Sequence, residues 1–112
     1  MEVVNLTTGK TLATDARLAA DFFSRLRGLL GTQGLADGAG LVIRPCSSIH
    51  TYGMNYPIDV VFADAAGQVT LASAGLGPRR MLMCRGSSYV VELPPGTLDR
   101  TETKAGDYLR LE

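Results

Sequence analysis

The chain has 112 residues, and its acidic and basic residues balance to a formal net charge of zero at pH 7. This length predicts one domain over residues 1–112, and an apolar content of 46% excludes a disordered chain. The balanced charge predicts no nucleic-acid partner. The apolar runs are too short for a membrane-spanning helix, so no membrane partner is predicted either. We expect a cytoplasmic protein, exported only if a leader has been removed.

A hairpin and one main helix are predicted in the N-terminal part of the chain. Segments 2–6 and 10–14 flank a turn that contains a glycine, as the strands of a hairpin do. Thr14 or Asp15 can cap a helix, and Gly31 is predicted to end it. Apolar residues four positions apart define its buried face, which comprises Leu18, Phe22, Leu26 and Leu30.

Short apolar strands separated by turns account for most of the remaining chain. One helical turn is expected within residues 97–106, and a hairpin turn at residues 64–67. The predicted strands are residues 41–43, 58–63, 68–74, 88–93 and 108–111, and residues 81–84 are either a further strand or a short apolar stretch. The predicted fold class is α+β, a curled, mainly antiparallel and barrel-like sheet of about six to eight strands with one main α-helix packed on it.

Reactive side chains are concentrated between Cys46 and Asp59, where His50 is the only histidine of the chain. A thiol, an imidazole and a carboxylate are the parts of an activated nucleophile. Cys46, His50 and Asp59 are therefore candidate catalytic residues of a thiol-dependent hydrolase or transferase. The alternative is structural, because buried thiols and satisfied His–Asp pairs are common in protein cores. Cys46 and Cys84 fit neither a disulfide framework nor a zinc pattern, and we expect both to be reduced.

Asp59 lies inside an apolar segment, IDVVF. An unpaired buried charge is very costly. We therefore expect its side chain to face the less buried side of the sheet or a pocket, with an arginine or histidine partner that keeps it ionised.

A stretch without acidic residues runs from residue 65 to residue 91 and contains Arg79, Arg80 and Arg85. Guanidinium groups beside glycine-rich loops can bind a carboxylate or a phosphate. The alternative is that at least two of these arginines pair with acids elsewhere in the fold, the candidates being Asp37, Asp59, Asp64 and Glu92.

The segment Met81-Leu82-Met83-Cys84 is rich in sulfur. Thioethers and thiolates favour soft metals such as Cu(I). Methionines at alternate positions more commonly fill gaps in a core. The sequence therefore predicts neither a metal site nor a cofactor.

Four segments carry a family resemblance. They are residues 25–31 (RLRGLLG), residues 40–62, with PCSSIHTYGM followed by YPIDVVF, and residues 91–96 (VELPPG) together with Gly106-Asp107. The chain resembles the DUF192 (UPF0127) family over nearly its whole length. The resemblance implies a small α+β domain of bacteria or archaea with no established activity. It supports a site between Cys46 and Asp59 and gives Cys84 no role.

The first functional hypothesis is a binding module for a small molecule or an anionic group, with a shallow pocket lined by residues 46–59 and with Arg79 or Arg80 attracting the anionic group. Its predicted ligand-binding residues are His50, Thr51, Met54, Asp59, Arg79, Arg80 and, as a lesser candidate, Arg27. The alternatives are the thiol-dependent enzyme and a purely structural or accessory protein. The ligand and the oligomeric state do not follow from the sequence.

Overall fold

The computed structural model describes residues 1–19 and 35–112. In this part of the chain there are ten strands and one short helix. The strands are β1 (Val3–Asn5), β2 (Lys10–Ala13), β3 (Asp15–Ala19), β4 (Ala39–Ile43), β5 (Ser48–His50), β6 (Ile58–Ala63), β7 (Val69–Leu76), β8 (Met81–Met83), β9 (Tyr89–Leu93) and β10 (Leu109–Leu111), and the helix, α1, spans Thr97–Thr101. No helix in these ranges is long and apolar enough to cross a membrane.

The strands form three sheets. A five-stranded sheet has the order β3-β4-β9-β6-β7, a three-stranded sheet has the order β10-β1-β2, and β5 pairs with β8 in a two-stranded ribbon. All pairings are antiparallel except that of β3 with β4. The mainly antiparallel prediction is confirmed, whereas the barrel is wrong, because the described strands divide into separate sheets that do not close on themselves.

The five-stranded sheet is covered on both faces. Every residue of its central strands β6 and β9 is buried, and successive side chains point to opposite faces. On one face, Val61 and Val91 pack in a cluster with Leu12 of the three-stranded sheet and Leu98 of α1. On the other face, the apolar cluster contains residues of the central strands together with Ile49, Met54 and Tyr56. The segment from residue 46 to residue 57 therefore forms part of an outer layer on this second face.

The predicted helix is wrong where the structure describes it. Residues 15–19 form β3, which pairs in parallel with β4 at the edge of the five-stranded sheet. Ala16 and Ala19 are buried, whereas Leu18, expected on a buried helical face, is 56% exposed. Pairing with β4 outweighs the weak local preference for helix. Phe22, Leu26, Leu30 and the predicted stop at Gly31 lie outside the described residues.

The predicted hairpins are confirmed, and polar side chains explain their turns. Asn5 accepts hydrogen bonds from the backbone N–H groups of Thr7 and Thr8 after β1. Asp64 accepts hydrogen bonds from the N–H groups of Ala66 and Gln68 in the turn between β6 and β7. Side chains of this kind stabilise tight turns. The helical turn expected within residues 97–106 is also confirmed, as α1.

A buried polar network joins the first hairpin to the C-terminal turn. The amide of Asn5 donates to Thr103 Oγ1 and to Asp107 Oδ2, both at 3.0 Å. Burial alone would raise the pKa of Asp107, but hydrogen bonds from Asn5 and Lys104 outweigh it and hold the pKa below the ordinary aspartate value. The ionised form of Asp107 therefore stabilises the folded state.

This network predicts a specific acid sensitivity. Because the folded-state pKa is depressed, the contribution of Asp107 is complete above the unfolded-state pKa of about 3.9. It is lost as the pH falls from there through the lower folded-state pKa. We expect Asp107→Asn to be less stable than the wild type at pH 7 and to lose less further stability between about pH 5 and pH 2, as measured by thermal unfolding. Equal pH dependence in the two proteins would contradict the assignment.

Candidate functional site

The β5–β8 ribbon presents one face to the core and one to solvent. His50 lies opposite Met81, Ile49 opposite Leu82 and Ser48 opposite Met83. The central pair, Ile49 and Leu82, packs against the apolar cluster below it. The two flanking pairs therefore point outward, and Met81 and Met83 are 67% and 62% exposed. The expectation that these methionines fill the core is wrong, because among the described strands β8 pairs with β5 alone and both methionines are exposed on its outer face.

Hydrogen bonds of Thr51 connect the segment after β5 to the loop before β8. Its hydroxyl donates to the carbonyl of Gly77 at 2.7 Å and accepts a hydrogen bond from the backbone N–H of Arg80 at 2.8 Å. Its own N–H donates to the carbonyl of Arg80, and its carbonyl accepts from the N–H of Arg79. Thr51 is fully buried. Ligand contact by Thr51 stays a prediction, and in the structure its side chain bonds to the loop that carries Arg79 and Arg80.

The arginines beside this contact are exposed. Arg79 has φ 57°, a left-handed conformation that is uncommon for residues other than glycine. Within the described ranges, none of Arg79, Arg80 and Arg85 forms an ion pair with an acidic side chain. The alternative in which at least two of them pair with acids is therefore wrong for this part of the chain. Arg44, the other basic residue nearby in the sequence, lies over the ring of Tyr89 at 5.1 Å.

His50 occupies the end of β5 and is half-buried. Its ring contacts that of Tyr52, with 5.7 Å between centroids and 54° between planes. Tyr52 is 53% exposed. The bonds between Thr51 and the backbone of Arg79 and Arg80 place the loop that carries these arginines beside the segment that carries His50 and Tyr52, in one region at the end of the ribbon.

Asp59 is not part of that region's accessible surface. It is fully buried, so the expectation that it faces a pocket or the less buried side is wrong. Its Oδ1 accepts the N–H of Gly75 and its Oδ2 accepts the N–H of Leu98, both at 2.9 Å. The N-cap residue of α1, Gly96, makes no side-chain capping bond. Asp59, on β6, therefore accepts the N–H of Leu98 in the first turn of α1, as the side chain of an N-cap residue ordinarily does.

The remaining predicted residues have different environments. Met54 is 5% exposed and belongs to the apolar cluster under the ribbon. The thiol of Cys46 donates to the carbonyl of Ser48 at 3.0 Å, and Cys84 Sγ lies 3.3 Å from Thr70 Oγ1. Catalysis by Cys46 and His50 stays a prediction. Arg27 lies outside the described residues.

Sequence reasoning missed two features of this region. The candidate set omitted Met81 and Met83, although their alternate spacing around Leu82 is the pattern of a strand with one exposed face. It also missed the partners of Asp59, for which the sequence carries no signal, since Gly75 and Leu98 contribute only backbone N–H groups.

The chain has archaeal relatives of similar sequence. The chain is 29% identical over 114 residues to a UPF0127 protein of Thermococcus sibiricus, covering 98% of this chain and 74% of the relative. It is 28% identical over 110 residues to a UPF0127 protein of Pyrococcus furiosus, covering 96% and 95%.

Two solved structures share the fold at 22% sequence identity. One is described as a putative transcription regulator from Sinorhizobium meliloti, with a TM-score of 0.80 over 97% of this chain and 89% of that one. The other is a protein of unknown function from Novosphingobium aromaticivorans, with a TM-score of 0.83 over 99% and 84%. The sequence model of DUF192, described as an uncharacterized ACR, matches residues 3–111. The chain therefore belongs to the DUF192 (UPF0127) family.

Proposed function

We propose that this protein is a binding module for a small ligand with an anionic group. The binding surface, here called the anion surface, consists of His50, Tyr52, Arg79 and Arg80 at the end of the β5–β8 ribbon. The observation that carries the proposal is the set of hydrogen bonds made by Thr51, which hold the backbone of Arg79 and Arg80 next to the segment that carries His50 and Tyr52.

Charge supports this choice of ligand. Arg79 and Arg80 are exposed, and neither is neutralised by an acidic side chain of the described residues. Guanidinium groups bind carboxylates and phosphates through paired, charge-assisted hydrogen bonds. A loop whose backbone is already fixed loses less conformational entropy when it binds. The left-handed backbone at Arg79 agrees with a functional role, since such conformations cluster at ligand-binding sites.

The proposal predicts a strong effect of removing the two charges. We expect Arg79→Gln/Arg80→Gln to weaken binding of phosphate, pyrophosphate or citrate at least tenfold, because a hydrogen bond to a charged group contributes about 1.5–3 kcal/mol. Titration calorimetry at low ionic strength measures this, and added salt should weaken wild-type binding.

The matched control is Arg17→Gln/Arg110→Gln, which removes the same net charge from exposed positions on β3 and β10. It should bind the anions as the wild type does. An equal loss in both double variants would mean that only overall charge matters, and would overturn the proposal. Wild-type protein that binds none of the three anions would overturn it as well.

A further inference from the structure

We infer that His50, Met81 and Met83 form a binding site for a soft monovalent metal ion, Cu(I), on the outer face of the β5–β8 ribbon. This inference goes beyond the proposed anion surface. It uses two side chains that the anion surface does not include, and it concerns a ligand of opposite charge. It does not depend on Arg79 or Arg80.

The first observation is the exposure of two methionines on one face of a short strand. Met81 and Met83 are 67% and 62% exposed, while Leu82 between them packs toward the core. Methionine is ordinarily a core residue that fills irregular gaps. Here both thioethers are exposed to solvent on the same face of β8, so core packing does not explain why methionine occupies these two positions.

The second observation is the strand register, which brings His50 to the same place. His50 lies directly opposite Met81. Hydrogen bonds join the backbones of Thr51 and Arg80 on one side of this pair and those of Ser47 and Cys84 farther along the ribbon. Hydrogen-bonded and non-hydrogen-bonded pairs alternate along antiparallel strands, so His50 and Met81, next to the bonded pair Thr51–Arg80, form a non-hydrogen-bonded pair. In pairs of this type the Cα atoms are about 4.5 Å apart and the side chains are closest.

Met83 is the diagonal neighbour of His50 across the ribbon. Diagonal positions are about 7–8 Å apart, which long side chains can span. An unbranched methionine side chain has three rotatable bonds, so its sulfur can turn toward the imidazole. One imidazole nitrogen and two thioether sulfurs can therefore converge on one ion above the ribbon.

The donor set selects the class of metal. Thioethers are soft ligands that favour Cu(I), and imidazole also binds copper. Magnesium and calcium require oxygen ligands, and no acidic residue occurs between residues 65 and 91. Within the described ranges there is also no cluster of three or more histidine, cysteine, aspartate or glutamate side chains of the kind that holds zinc. All three donor atoms are uncharged. They suit a monovalent ion, because an ion with a single positive charge needs fewer negatively charged ligands than a divalent ion does.

Silver(I) is the probe, because it has the same charge and ligand preference and is stable in air. We titrate AgNO3 into protein with ¹³C-labelled methionine methyl groups in chloride-free buffer. The expected result is a saturable shift of the Met81 and Met83 methyl signals at one equivalent, with the buried Met54 signal unchanged.

Met81→Leu/Met83→Leu should bind Ag(I) at least tenfold more weakly, and Met54→Leu should bind as the wild type does. Anaerobic competition for Cu(I) with a chromophoric chelator should give the same order of affinities.

Thiols are the main competing ligands, so Cys46→Ser/Cys84→Ser is the decisive second variant. It should retain Ag(I) binding and the methionine shifts. Binding that disappears with the cysteines, or persists in Met81→Leu/Met83→Leu, or is absent from the wild type, overturns the inference. The methionine variant should still bind the anions, and Arg79→Gln/Arg80→Gln should still bind Ag(I), so failure of this inference and failure of the proposed function are separate results.

Discussion

Replacing Asp59 with alanine should lower the free energy of unfolding by about 2–5 kcal/mol. The carboxylate accepts hydrogen bonds from the N–H groups of Gly75 and Leu98 in a fully buried position. Without it, the buried N–H of Leu98 loses its acceptor away from water, which costs about 1–3 kcal/mol, and loss of the partly buried bond from Gly75 adds about 1–2 kcal/mol. Urea unfolding, monitored by circular dichroism, measures the change.

Asp99→Ala is the matched control for this substitution. Asp99 lies in the first turn of α1, next to Leu98, but its side chain is exposed. Exposed substitutions away from special contacts usually change stability by no more than about 0.5 kcal/mol. If Asp59→Ala were no more destabilising than Asp99→Ala, the structural role assigned to Asp59 would be wrong.

Replacing Thr51 with valine should both destabilise the fold and weaken anion binding. Valine has nearly the same shape but cannot donate to Gly77 or accept from Arg80. We expect a loss of about 1–3 kcal/mol in the free energy of unfolding. We also expect at least tenfold weaker binding of pyrophosphate, because the backbone of Arg79 and Arg80 keeps only its bonds to the main chain of residue 51 and is held less firmly. Denaturant unfolding and calorimetry measure the two effects.

Thr51→Ser provides the rescue. Serine retains the hydroxyl, so both hydrogen bonds can form, and anion affinity should return to near the wild-type value. A role of Thr51 in packing alone predicts the reverse order, with valine tolerated and serine harmful. That order, or wild-type affinity in Thr51→Val, would contradict the positioning role.

The strands were predictable where their sequence pattern reflects burial. The segments at residues 58–63 and 88–93 are dense in β-branched and apolar residues, and they became β6 and β9, which are buried on both faces. Residues 15–19 were not predictable in the same way. Their apolar spacing fits a helix, yet β3 forms through pairing with β4, more than twenty positions away. Whether the sheet closes into a barrel could not be predicted either, because closure depends on which strands pair and not on where they lie in the sequence.

The candidate site was predictable as a segment but not as a geometry. One residue of the reactive segment, Thr51, contacts the loop that carries Arg79 and Arg80, and this contact is made by a hydroxyl bonded to backbone groups of that distant loop. Asp59 stood out correctly as a carboxylate in an apolar strand. Its environment could not be inferred, because its partners are backbone N–H groups that every residue except proline carries.

The proposed activity of this protein is the binding of a small anion at the end of the β5–β8 ribbon. The most direct measurement is a ¹H–¹⁵N correlation spectrum of the whole protein during titration with pyrophosphate. Binding at the anion surface predicts saturable shifts that cluster at residues 50–52 and 77–81, including the side-chain signals of Arg79 and Arg80. Shifts that cluster elsewhere, or a spectrum unchanged at saturating pyrophosphate, would contradict it.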